Sequence, residues 1–358
     1  MTGGNSRAFK HQLDHLQSEQ LLTLLCIGKI NSATSALILM LLRSIATRFA
    51  VKHCLSPAPS NRLVAKSLAF SRRMAMNLKV PTGLPLSTMV KKLEDFAPSW
   101  LAESWDNVGL LLEPTDDVPV MSLLLTNDLT EDVMDEAISL GVQLILSYHP
   151  PLFKSIKTIT NKHWKTRIVS KCLRNSIAVY SPHTSYDSVS GGVNDWLAGA
   201  FDFASKYPIT PAAQPPAGPC NLELEKCGAG RLLTLSKPIT IAEAVQNVKS
   251  HLAVQHVHLA LQRNATTASL VQTVALCAGS GSSVLAGVKA DLLLTGEMSH
   301  HEVLEAVHQG SSVLLTWHST SERGFLKQLA RQLEDQMLVG TGVTVHVSQQ
   351  DKEPICTL

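Results

Sequence analysis

From Pro85 onward, short unbroken runs of Val, Ile and Leu alternate with amphipathic segments, and this alternation leaves few architectures open. "VMSLLLTNDL" predicts a strand ending at Thr126, and "TEDVMDEAISLG" a helix with Thr130 at its N-cap and Gly141 just past its end. The strand "VQLILSYH", the helix "HWKTRIVSKCLRN", the strand "SIAVYSPH" and the short helix "VNDWLAGAF" follow. Strands apolar on every residue must be covered on both faces, which helices between parallel strands accomplish. Residues 206–226, rich in Pro and Ala and without apolar periodicity, read as a linker. The pattern then resumes with helix "TIAEAVQNVKSHL", strands "HVHLALQ" and "VQTVALCAG", helix "SSVLAGVK" and strand "ADLLLTGEM". Helix "HHEVLEAVHQG", strand "SSVLLTWH", helix "SERGFLKQLARQLEDQML" and strand "VTVHVS" complete it. The expected fold class is α/β with mostly parallel sheets, in two units over 83–205 and 227–358. The last strand is free to return to the first unit.

The N-terminal part differs in kind. Between Glu19 and Glu94 there is no Asp or Glu, while Arg43, Arg48, Lys52, Arg62, Lys66, Arg72 and Arg73 stand among serines and alanines. That composition resembles a mitochondrial presequence. Its apolar core, 36–42, is far short of the roughly 20 residues a bilayer span needs. Residues 1–82 are therefore expected to be a targeting or disordered extension; the alternative is an upstream extension before a start at Met40, Met74 or Met76. Seven cysteines without paired spacing indicate neither a disulfide framework nor a zinc ribbon, and fit a reducing compartment. A formal net charge of +2 gives no electrostatic case for direct nucleic-acid binding.

Ligands of open α/β sheets bind at the carboxyl ends of strands. His149 ends one predicted strand, and His183 with Asp187 follows another. Glu297 follows a third, and His318 ends a fourth with Glu322 one helical turn on. Histidines and carboxylates gathered at one topological position suit a divalent cation: zinc, manganese, iron or nickel, with copper(I) disfavoured for want of thiolate or thioether ligands. Each residue also has a plainer reading. His149 before Pro150-Pro151 could serve a turn, and His318 with Glu322 could be a surface pair on a helix's first turn. In "CAGSGSS", the amides around Gly279, Ser280, Gly281 and Ser282 could cradle a phosphate. The third glycine of a dinucleotide fingerprint and the lysine of a P-loop are both missing, and a tight turn with Ser282 as N-cap is the competing reading. No GxSxG occurs, Cys172 and Cys277 lie in apolar runs where thiols pack inertly, and Asp106-Asn107 reads as a polar turn before a strand.

"ESWDNVGL", "SYHPPLF", "SPHTSYD", "CAGSGSS", "ADLLLTGEMSHH" and "HSTSERGF", in that order, resemble the signature series of the NIF-three family, whose bacterial members are called GTP cyclohydrolase 1 type 2 homologues. The resemblance is closest to the animal branch and covers about residues 86–358. It implies two similar α/β domains facing each other across a metal-binding cleft, with homodimers that form ring-like oligomers in bacterial relatives. By the same resemblance His149, Asp187, His318 and Glu322 are metal ligands, with His183 beside them. Bacterial relatives bind two ions, whereas Tyr148 here replaces one histidine of a pair, so one or two per chain are expected. Many relatives insert a further domain between the halves, for which 206–226 leaves no room.

Two functions follow as expectations. One is a metal-dependent hydrolase of a nucleotide-like or phosphorylated small molecule, with Glu297 or His301 as acid/base groups. The other, which the resemblance to the animal relatives puts first with the hydrolase as its alternative, is a transcriptional co-regulator of cytoplasm and nucleus that binds a signalosome subunit, acting through partners because no DNA-binding motif occurs. The leader-like composition points instead to mitochondria.

Overall fold

The computed structural model describes residues 83–355 except 116–117, 214 and 216–221, and the targeting reading of 1–82 lies outside the described residues. The chain runs through α1 (Leu86–Phe96), β1 (Gly109–Leu112), β2 (Ser122–Thr126), α2 (Glu131–Leu140), β3 (Leu144–Ser147), α3 (Trp164–Arg174), β4 (Ala178–Ser181), α4 (Thr184–Ser188) and α5 (Val193–Ala198). Thr130 caps α2 by accepting from the Val133 amide, and Gly141 ends it at φ 65°. β2, β3 and β4 pair in parallel, and β1 joins β4 antiparallel.

The second half begins with β5 (Phe203–Tyr207), β6 (Thr210–Pro211), β7 (Gly228–Ala229), β8 (Arg231–Thr240), α6 (Ile241–Leu252), β9 (His258–Ala260) and β10 (Leu270–Ser280). It ends with α7 (Ser282–Leu285), β11 (Leu292–Glu297), α8 (His300–Gln309), β12 (Ser312–Leu315), α9 (Thr320–Arg323), α10 (Phe325–Gln332) and β13 (Thr344–Val347). The second sheet has the order β5-β8-β10-β11-β12-β9; β10, β11 and β12 are parallel at its centre, β8 and β9 flank them antiparallel, and β5 pairs antiparallel with β8 at the edge. The last strand, β13, lies in the first sheet, parallel to β2.

The apolar runs produce layers because alternate residues of a strand face opposite sides. Leu123, Leu125, Leu144 and Leu146 face a core shared with Leu292, Leu294 and the helices α5, α6 and α10, whereas Leu124 and Ile145 face α2 and α3. Leu293 and Val313 face α7 and α8 on the far side of the second sheet. Helices therefore fill the space between two sheets and cover both outer faces. No helix among the described residues is long and apolar enough to cross a membrane.

Several features depart from the sequence pattern, helices α1 and α4 among them. β8 and β5 were not anticipated: in "RLLTLSKPIT" buried Leu233 and Leu235 alternate with exposed Thr234 and Ser236, a weaker signal than a fully apolar run. Within 206–226, Lys206 and Tyr207 extend β5, and Thr210–Pro211 pair with Gly228–Ala229. The helix expected over 321–338 breaks at Gly324, where a Cβ would stand 2.3 Å from the Trp196 ring. Gly324 keeps helical angles, φ −62° and ψ −26°, and its missing side chain lets α10 lie on α5.

A buried ion pair fastens α5 to the second sheet. Arg231, 1% exposed, pairs with Asp195, 8% exposed, and donates to the carbonyls of Gly228, Gly230 and Val189. Burial would raise the Asp195 carboxyl, but Arg231, the Gly191 amide and Lys206 outweigh it and hold it below the usual range.

Candidate metal centre

The strand ends converge. Beyond β3, the Tyr148 and His149 amides donate to the carbonyls of Thr126 and Asn127, each at 2.9 Å, so the β2–β3 pairing continues and fixes His149 in place. The turn after β12 places Trp317 at φ 71°, and the turn after β4 places His183 at φ 33°. Non-glycine residues rarely adopt such angles, and they persist where surrounding bonds hold a site in shape. Ser321 Oγ receives the Gly279 amide at 2.7 Å and donates to the His318 carbonyl at 2.6 Å, joining β10 to α9.

His149 comes from the first sheet and His318 from the second, yet their Nε2 atoms lie 3.3 Å apart. Glu322, 4% exposed, faces both, with Oε2 3.3 Å from His149 Nε2 and Oε1 3.3 Å from His318 Nε2. These three residues could hold a metal ion, their ligand atoms all lying within 4.8 Å of one another. The spacing fits: bonds of about 2.0–2.1 Å to one tetrahedral ion separate its ligands by about 3.4 Å. Asn127, whose Nδ2 donates to Glu322 Oε2 at 3.1 Å, keeps a buried Oδ1 with no hydrogen-bond partner beside the cluster.

Each imidazole is held from behind. Nδ1 of His149 faces Asp128 at 3.0 Å, Nδ1 of His318 faces Glu297 at 2.9 Å, and Nδ1 of His183 faces Asp106 at 2.8 Å. Asp106 is anchored by the Thr184 amide at 3.1 Å and hydroxyl at 2.5 Å. The Tyr148 hydroxyl donates to Asp187. Burial pushes the Asp187 carboxyl up to about 6 against the pull of Tyr148 and His183. At His149 burial opposes protonation, but Glu322 and Asp128 outweigh it and raise the imidazole to about 10.

The site residues expected from sequence fall into groups. His149, His318 and Glu322 meet directly, and His183 and Asp187 line the same cleft of about 300 Å³. Glu297 stands behind His318. His301 is exposed on the first turn of α8, its ring against His300 at 5.4 Å. The phosphate cradle meets an obstacle: the Gly279 amide is engaged by Ser321 and the Gly281 amide by Thr295, and Ser282 Oγ donates to Glu302. Gly281, not Ser282, precedes the short α7. Asp128, Asn127 and Asp106 were not proposed for the site; Asp128 follows the end of β2, so the strand-end rule reaches it.

A strap closes the back of the site. Asp351 accepts the Asn127 amide at 2.8 Å and pairs with Arg323 Nε at 3.1 Å, and Glu353 accepts from the hydroxyls of Ser319 and Thr320.

The chain matches the family model described as Duf34/NIF3 (NGG1p interacting factor 3) over residues 84–354. It is 45% identical to NIF3-like protein 1 of Drosophila melanogaster over 289 residues, 80% of this chain and 93% of that protein. It is 36% identical to NGG1-interacting factor 3 of Saccharomyces cerevisiae, covering 76% of this chain and 97% of the other. Among solved structures, a Bacillus cereus protein related to NIF3 superimposes with a TM-score of 0.64 at 22% identity, over 76% of this chain and 98% of that one.

Proposed function

The chain belongs to the Duf34/NIF3 family, and from that premise we propose that it is a divalent-metal protein whose centre, built on His149, His318 and Glu322, serves hydrolysis of a small molecule in the cleft. The observation that carries this reading is the repeated pairing of Nδ1 with a carboxylate. In all three histidines the bond fixes the ring and turns Nε2 into the ligating atom, as carboxylates do behind metal-bound imidazoles. A bound zinc, manganese, iron or nickel ion would supply Lewis acidity and lower the pKa of water at the site. Asp128 and Glu297 orient His149 and His318, so Glu297 acts as a positioning group. His183 and Asp187 extend the ligand set on the side of the first sheet.

Metal analysis by plasma mass spectrometry on the full chain tests the reading. About one or two ions per chain are expected, lost in His149→Ala and His318→Ala. A wild-type chain without metal, even after reconstitution, overturns it.

A second reading takes its support from the yeast relative's name, NGG1-interacting factor 3, and is a role through protein partners. The resemblance to the animal branch would make that role transcriptional co-regulation in cytoplasm and nucleus, with a signalosome subunit among the partners of a homo-oligomer. Glu322→Ala separates the two. Loss of hydrolysis with partner capture intact favours the enzyme, and no hydrolysis of any tested compound by the metal-loaded wild type favours the partner role.

A further inference from the structure

Two large apolar side chains stand in solvent at the mouth of the cleft: Trp105 is 59% exposed and Phe153 43%. Side chains of this size ordinarily gain most by burial, and exposed apolar patches tend to mark binding surfaces. Bonds hold both in the open. Trp105 precedes Asp106, which His183 and Thr184 anchor. Asn107 Nδ2 then donates to the Leu152 carbonyl at 2.6 Å and pins the residue before Phe153. The indole meets Phe153 edge to face at 6.1 Å and His183 at 6.0 Å, and His183 lies 5.3 Å from His149. Aromatic rings thus lead from the rim to the proposed metal centre.

The charges of the cleft select among occupants. Its lining includes Glu103, Asp187 and Glu322 but neither Lys nor Arg. A phosphate bound away from the metal would meet carboxylates, with the Gly279 and Gly281 amides already engaged. A neutral planar ring meets no such repulsion and finds an indole more than half exposed. Ser280 and Ser283 line the same cleft, with hydroxyls able to bond ring heteroatoms.

We propose that Trp105 is the stacking face of a subsite for a neutral heteroaromatic ring of purine type, carried by the substrate. The assignment rests on the hydrolase reading of the cleft and narrows its substrate class: the ring, and not a phosphate, is what the protein recognises.

The full chain, incubated with zinc, is titrated calorimetrically with adenosine, guanosine and ribose 5-phosphate. At least one nucleoside is expected to bind more tightly than the ring-free phosphate. Trp105→Ala should weaken it about tenfold or more, while Trp105→Phe should retain most of the affinity. No nucleoside binding, equal binding by Trp105→Ala, or tightest binding of ribose 5-phosphate overturns the proposal. So does an indole at 105 shielded from acrylamide quenching in a self-associated chain, which would place it between copies. Zinc content on the same samples separates the two ideas. Zinc without nucleoside sinks the ring subsite alone, whereas Trp105-dependent nucleoside binding without zinc sinks the metal centre alone.

Discussion

Gly279 sits at φ 65°, where an added Cβ would lie 2.4 Å from Glu322 Oε1 and 3.2 Å from His318 Nε2. Gly279→Ala is therefore expected to push Glu322 out of the cluster and to cost about 1–3 kcal/mol of stability through backbone strain. Chelator competition should reveal weakened metal binding, and thermal unfolding the strain; unchanged metal affinity would count against so close an approach. Asp128→Asn and Glu297→Gln leave the Nε2 ligands in place and loosen the rings, so affinity should fall about 10- to 100-fold without loss of stoichiometry. The proposed ligands His149 and His318 were legible as candidates because each follows an apolar strand run. Asp106 was not, since its partner His183 lies 77 positions away and its own neighbourhood reads as a turn.

Between α5 and β8, Asp195 and Arg231 are nearly dry, so removing one partner strands a buried charge. Asp195→Asn is expected to cost about 3–5 kcal/mol in urea unfolding at pH 7. Because the folded carboxyl is held low, this stabilisation is complete above the unfolded value of about 3.9 and fades as pH falls through the lower folded value. The gap between wild type and variant should shrink accordingly in acid; a gap constant to pH 2 would exclude the pairing as its source. The parallel strands were legible because burial on both faces makes every residue apolar. β8 and β5 were not, for an antiparallel flank strand half in solvent keeps its polar residues. The close approach of Trp196 to Gly324 was equally hidden, because Trp196 belongs to another helix.

At the scale of the whole molecule, the candidate metal centre draws His149 from the first sheet and His318 from the second, so its geometry depends on their being held in register. Asp351 ties the Asn127 loop of the first sheet to Arg323 beside Glu322, so Asp351→Ala is expected to lower metal affinity although it touches no ligand atom. Chelator competition checks this, and affinity equal to wild type would show that the strap is dispensable. The alternation of apolar strands and helices was readable along the chain; the strap was not, since polar residues after the last strand carry no periodicity. β13 has a further consequence, for biosynthesis. A ribosome makes β1 to β4 early, but β2 keeps a bare edge until Thr344–Val347 emerges. A chain stalled before that strand would carry a nearly finished second sheet beside an open first one, sticky enough to draw chaperones or proteases. Closure of the first sheet thus waits on a strand made after the whole of the second.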